Sequence, residues 1–199
     1  MKIALVELES ASPISFSKYY EPNRLEGESH LDHEKRTWRN KLHVNQDGNV
    51  VVPPLMIKNT LANAAKYMGR DVPHNIQLAG KATHTKHFEA GILCMEPMAL
   101  SNEKGLITPD QVQDLWLMVP SDGKRGGTTR VARCFPTIPE WTGTATIHVL
   151  DDKITNDAFE FFLEKAGQFI GFGALRVRNN GYHGRFTINN IVWSCDMIG

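Results

Sequence analysis

Between Gly167 and Phe186 the chain reads GQFIGFGALRVRNNGYHGRF, and five of its 16 glycines fall there. Arg176, Arg178 and Arg185 are threaded between them, and no Asp or Glu follows Gly167 until Asp196. Glycine lets the backbone turn through positive φ and lets another backbone approach closely. Exposed N–H groups at Gly173 and Gly181, set beside arginines, would form a cradle for phosphate. The same pattern also suits an ordinary loop that closes a helix and starts a strand.

Other basic stretches offer related chemistry. KRTWRNKLH carries Lys35, Arg36 and Arg39 around Trp38, with no acid until Asp47. Arginine beside an aromatic suits a nucleic-acid strand through phosphate contacts and base stacking, or else Trp38 packs on the body of the protein. SDGKRGGTTR sets Lys124, Arg125 and Arg130 among glycines and threonines, at the tip of an expected hairpin. Lys58 lies in the first turn of an expected helix, where it either joins a phosphate site or is simply solvated. His84 and His87, like His30 and His33, have the spacing of two metal ligands on one helical face. No third ligand stands at a matching spacing, so no metal and no cofactor is expected.

The elements that position these residues follow from periodicity. With 199 residues, 41% hydrophobic and 22% charged, the chain has room for one domain with a substantial core. Its net charge is zero, which counts mildly against a freestanding nucleic-acid binder. Cys94, Cys134 and Cys195 follow no CxxC spacing and suggest a reducing, cytoplasmic setting without disulfides. The first residues read as a strand rather than a signal peptide, and no apolar run is long enough to span a bilayer. Lys2 to Glu9 reads as a buried strand, and about 35 weakly periodic residues follow. A helix opens at Pro53-Pro54, buries Ile57, Leu61, Ala64, Ala65 and Met68, and ends at Gly69. Strands are expected over Glu89–Met95, Val112–Val119, Val131–Phe135, Gly143–Leu150 and Phe186–Cys195. Thr155 or Asn156 caps a second helix with Phe159, Phe162, Leu163 and Ala166 on its buried face.

Stripped of insertions, this order is βαββαβ. The expected class is α+β: a ferredoxin-like or RRM-like antiparallel sheet with both helices on one face and the other face free for a ligand. The single domain (1–199) then carries an arm over about 10–48 and a hairpin over 112–135, whose tip (about 118–132) projects.

VVPPLMIKNTLANAA resembles the first-helix motif of the RAMP superfamily, the repeat-associated proteins of CRISPR effector complexes, where a strand ends in proline and a lysine opens the helix. GFGALRVRNNGYHGRF is similar to that superfamily's glycine- and arginine-rich segment before the last strand. The two motifs cover about a sixth of the chain. Leu55, Met56 and Ile57 stand where the family often has small residues and a serine, Asn59 where it has glycine, and His183 is an extra residue in the late motif. The resemblance implies a backbone subunit that polymerises along a guide RNA and exposes its bases for pairing with a target strand. Its partners would be single-stranded RNA, copies of itself and other effector subunits, with no membrane. Lys58, Arg176, Arg178 and Arg185 would contact phosphates. The superfamily also contains metal-independent endoribonucleases that use a histidine near the glycine loop. That makes His183 the nearest candidate, with His30, His43, His84 and His87 as others, and Asp32 marks the segment where some backbone subunits cut their target. A third reading is a stand-alone or viral homologue serving as a protein-only mimic of an effector subunit or as an interaction module.

Overall fold

A computed structural model describes residues 1–73, 82–121 and 129–195. In chain order its strands are β1 (Lys2–Ser10), β2 (Ile14–Ser15), β3 (Val51–Val52), β4 (Ile92–Leu93), β5 (Met98–Asn102), β6 (Gly105–Leu106), β7 (Gln113–Pro120), β8 (Arg130–Ile138), β9 (Thr142–Val149) and β10 (Phe186–Cys195). Its α-helices are α1 (His30–Thr37), α2 (Pro54–Met68), α3 (Thr85–Gly91) and α4 (Asn156–Phe169). The architecture is α+β, with antiparallel sheets.

The main sheet grows from β1, whose alternation puts Ala4, Val6 and Leu8 inside and leaves Leu5 and Glu7 outside. β1 lies between β10 and β9, pairing Val6 with Ile191 on one side and with Ala145 on the other. The path through the sheet runs β10-β1-β9-β5-β3, with β4 added to β9 and β6 to β5. α2 and α4 pack on each other and cover one face of this sheet. Pro54 begins α2 and Gly69, at φ 57°, ends it, while Ile57, Leu61, Ala64 and Ala65 are buried. The Thr155 hydroxyl accepts from Ala158 N at 3.2 Å to start α4, which buries Phe159, Phe162, Leu163 and Ala166.

One expectation needs correction. The Glu89–Met95 strand is instead the end of α3 followed by the two-residue β4, and the longer β5 takes its place in the sheet. Phe88 buries itself one turn after His84, against Phe162, which favours a helix here. Gly91 passes so close to Asp151 that a Cβ would lie 2.5 Å from Asp151 Cβ, a constraint no local pattern announces. The arm holds a short helix and is folded onto the body. Ser29 caps α1 by accepting from Asp32 N at 3.1 Å. The helix runs into a 3-10 turn over Trp38–Lys41, and both pack on β8. The hairpin is formed by β7 and β8, paired from Gln113↔Thr137 to Pro120↔Arg130, and β2 of the arm adds to β8 as a third strand. Lys124 and Arg125, at the hairpin tip, lie outside the described residues.

Glu34 joins arm to hairpin. It is fully buried, bonded to Lys41 Nζ, and accepts from Cys134 N at 2.8 Å and from Arg133 Nη1 at 3.2 Å. Lys41 Nζ also donates to Cys134 O at 2.8 Å. Among the described residues no helix is long and apolar enough to cross a membrane.

Candidate nucleic-acid interface

The glycine loop begins where α4 ends, with Ile170 N and Gly171 N both donating to Ala166 O. From there it folds back on itself. Phe172 N donates to Gly184 O at 2.9 Å, His183 N to Leu175 O at 3.1 Å, and Gly184 N to Pro13 O at 2.7 Å. Ala174 N donates to Ser15 O at 2.7 Å, which ties the loop to β2. Gly173 sits at φ 75°, where a Cβ would come within 2.2 Å of Ser15 O. At Gly181 a Cβ would come within 1.8 Å of Leu175 O. These two glycines are required because backbone packs directly on backbone.

That packing changes the chemistry expected of the loop. Gly173 N meets Met56 Sδ at 3.2 Å, and Gly181 N donates to Arg176 O at 3.1 Å. Their N–H groups are therefore engaged within the protein. What the loop presents outward is the side chains of Arg178 and Arg185.

Arg176 is half-buried, and its Nε has no hydrogen-bond partner. Burial lowers its proton affinity, and the neighbouring charge of Arg178 lowers it further. Arg178 is exposed on the 3-10 turn Val177–Asn179. Arg185 is exposed and reaches only Gln168 O, at 3.4 Å. Among the described residues none of the three arginines forms an ion pair with a carboxylate. Tyr182, 62% exposed and edge-on to His183, adds an aromatic ring to the same loop. Its place in NNGYHGRF, beside the arginines, was the available signal for it.

Beneath the loop lies a buried polar cluster that sequence reading missed. Ser15 Oγ hydrogen-bonds Thr137 Oγ1 at 2.9 Å and also His183 Nδ1. Ser15 and His183 are 168 positions apart, so no local spacing signals the pair. His183 is only 1% exposed, and burial depresses its proton affinity. It holds the loop to β2 and β8 from inside rather than facing solvent as an acid–base group.

The remaining candidates are dispersed. Lys58 is half-buried on α2, and its charge acts on the Cys94 thiol, which burial raises to about 11. The residues of α2 that touch the loop are Met56 and Thr60, the latter donating to Gly171 O at 3.5 Å. Lys58, two positions from each, therefore projects from the opposite side of the helix. Trp38 is 7% exposed, with the Arg39 guanidinium 4.1 Å over its ring, so the ring is not an open stacking face. Arg39 also donates to Pro109 O at 3.2 Å. Arg36 is clamped on Glu28 by Nε at 2.7 Å and Nη2 at 2.8 Å, and it donates to Asn23 O. Lys35 is exposed.

The histidines are engaged separately. His33 meets Glu28, His87 meets Asp151 at 2.6 Å, and His84 is buried with Nδ1 at 3.1 Å from Arg70 O. Among the described residues no three His, Cys, Asp or Glu side chains are grouped to hold a metal ion. Asp32 is exposed in the first turn of α1. The face of the main sheet opposite the helices presents Leu5, Glu7, Thr144, Thr146 and Val192. β1, β9 and β10 contribute no aromatic ring to it, so the sheet lacks the stacking platform a single strand uses. No protein-family model matches the chain, and no curated protein matches it.

Proposed function

We propose that the protein is a sequence-independent RNA-binding subunit that grips the sugar-phosphate backbone of a single strand and oligomerises along it, as a component of a cytoplasmic CRISPR-type ribonucleoprotein. The observation that carries this reading is the glycine loop's cationic surface. Arg178 and Arg185 are exposed, Arg176 lies half-buried beside Arg178, and among the described residues none of the three pairs with a carboxylate. A phosphate supplies the missing counter-charge and accepts from the guanidinium groups exposed there. A loop whose backbone is locked by its own hydrogen bonds holds those side chains without ordering on binding.

The strand order β10-β1-β9-β5, all antiparallel, with α2 and α4 together on one face, supports the ferredoxin-like reading. His183, buried and bonded to Ser15, does not favour cleavage at this loop.

The test is purification at low salt, with the mass and nucleic-acid content of the product measured by light scattering and absorbance. A multimer on RNA whose affinity falls steeply with salt is expected. Replacing Arg176 and Arg178 with Ala should weaken binding for all sequences alike and flatten the log–log salt slope by about 1.4. A monomer that binds no single strand and does not assemble on one would sink the proposal.

A further inference from the structure

A second cationic site, sharing no residue with the glycine loop, lies between the segment after β2, α1 and β8. A cavity of about 570 Å³ opens there, within the size range of small-molecule sites. Its inner wall is Tyr20 stacked on His33, with ring centroids 6.4 Å apart. Both rings are anchored: Tyr20 Oη hydrogen-bonds Thr37 Oγ1 at 2.6 Å, and His33 Nδ1 meets Glu28 at 3.2 Å. The segment itself is held at Phe16 N to Pro136 O and Lys18 N to Lys41 O, both 2.9 Å. The cavity is thus a built feature.

Its rim carries Lys18, Arg24 and Arg133. Two carboxylates lie close by: Glu34 takes one bond from Arg133 but is already held by Lys41 and Cys134 N, and Glu28, bonded to His33, is paired with Arg36. Lys18 and Arg24 are exposed, and neither forms an ion pair among the described residues. His30, also in the lining, reports the local potential. Burial lowers its proton affinity, and the charges of Arg133 and Arg24 lower it again, outweighing the opposite pull of Glu34. At the mouth stands Tyr19, whose side chain is among the most open in the molecule at 84% exposure.

We propose that this cavity binds a nucleotide, with Lys18, Arg24 and Arg133 holding its phosphate and the open ring of Tyr19 stacking on its base. The unit is either a free mononucleotide or one residue of a strand, since both present the same phosphate and base. The site does not rest on the glycine-loop reading.

Titration calorimetry on the full chain with AMP, adenosine, inorganic phosphate and a trinucleotide tests it. AMP is expected to bind more tightly than phosphate or adenosine if the occupant is free. Detectable affinity for the trinucleotide alone marks a residue of a strand. The exposed pair Lys18→Ala/Arg24→Ala should lose at least about tenfold in affinity for the bound species with an unchanged melting temperature. Tyr19→Ala should lose about tenfold for that nucleotide species and nothing for inorganic phosphate. The double variant Arg176→Ala/Arg178→Ala separates the two readings, because it should lose strand binding at the glycine loop and keep this cavity's response to Tyr19→Ala. Failure of both AMP and the trinucleotide to bind at millimolar concentration, or full affinity in Lys18→Ala/Arg24→Ala, overturns the proposal.

Discussion

Arg36 and Arg176 each stand in an acid-free run of sequence, one from Lys35 to Gln46 and the other from Gly167 to Cys195. Folding treats them in opposite ways. Arg36 turns back eight residues to a bidentate pair with Glu28, and the neighbouring Trp38 goes into the core under Arg39. Among the described residues Arg176 pairs with no acid, and the charge acting on it is that of another arginine. Arg36 and Arg39 of the arm therefore build structure, whereas Arg178 and Arg185 of the glycine loop stay exposed. A basic, aromatic composition cannot distinguish these cases, because what matters is which carboxylates the fold brings to each guanidinium.

The contrast is broken most severely by Gly181→Ala. The new Cβ would lie 1.8 Å from the Leu175 carbonyl oxygen, a backbone atom that moves only if the loop opens. A loss of about 3 kcal/mol or more is expected, read as a lower urea midpoint, together with loss of RNA binding. Unchanged stability would mean the loop is not locked as described. Glu34→Ala makes the matching cut on the arm side. It leaves the Lys41 ammonium buried without its carboxylate and should cost about 3 kcal/mol by chemical denaturation. Strand binding at the glycine loop should stay intact in the folded fraction, which separates arm from loop.

The legible parts of the fold were those with a local cause. β1 and β9 alternate, Gly69 stops α2, and Thr155 starts α4, so short windows carry the information. β5 was missed because MALSN is short and mixed in character, and it belongs in the sheet only because β9 lies beside it. The glycine loop was legible as a glycine-dependent turn rich in arginine. Its amide groups were not, since Gly173 and Gly181 direct theirs to Met56 and Arg176 rather than outward. Glu34, Lys41, Ser15 and Thr137 left no trace at all. Ser15 lies 122 positions from Thr137, Glu34 100 from Cys134 and Lys41 93 from Cys134, so their meaning exists only in the folded chain.

The smallest expected effect sharpens the comparison furthest. If Arg36 is structural, Arg36→Ala should leave RNA affinity and its salt slope where they are, in contrast to Arg176→Ala/Arg178→Ala. Its signature should appear in acid instead. The hydrogen bond from Arg36 holds the Glu28 carboxyl at about 2, below its ordinary 4.5. A carboxyl lowered in the folded state contributes stability that is present above its unfolded value and lost as pH falls toward the folded one. The wild type should therefore melt slightly above Arg36→Ala at about pH 6, and the gap should narrow by about pH 3 as Glu28 takes up its proton in the unfolded chain. Thermal melts across that window, set beside RNA titrations of both variants, measure the two roles independently. An Arg36→Ala protein that loses as much RNA affinity as the glycine-loop variant would place the arm's guanidinium on the strand after all.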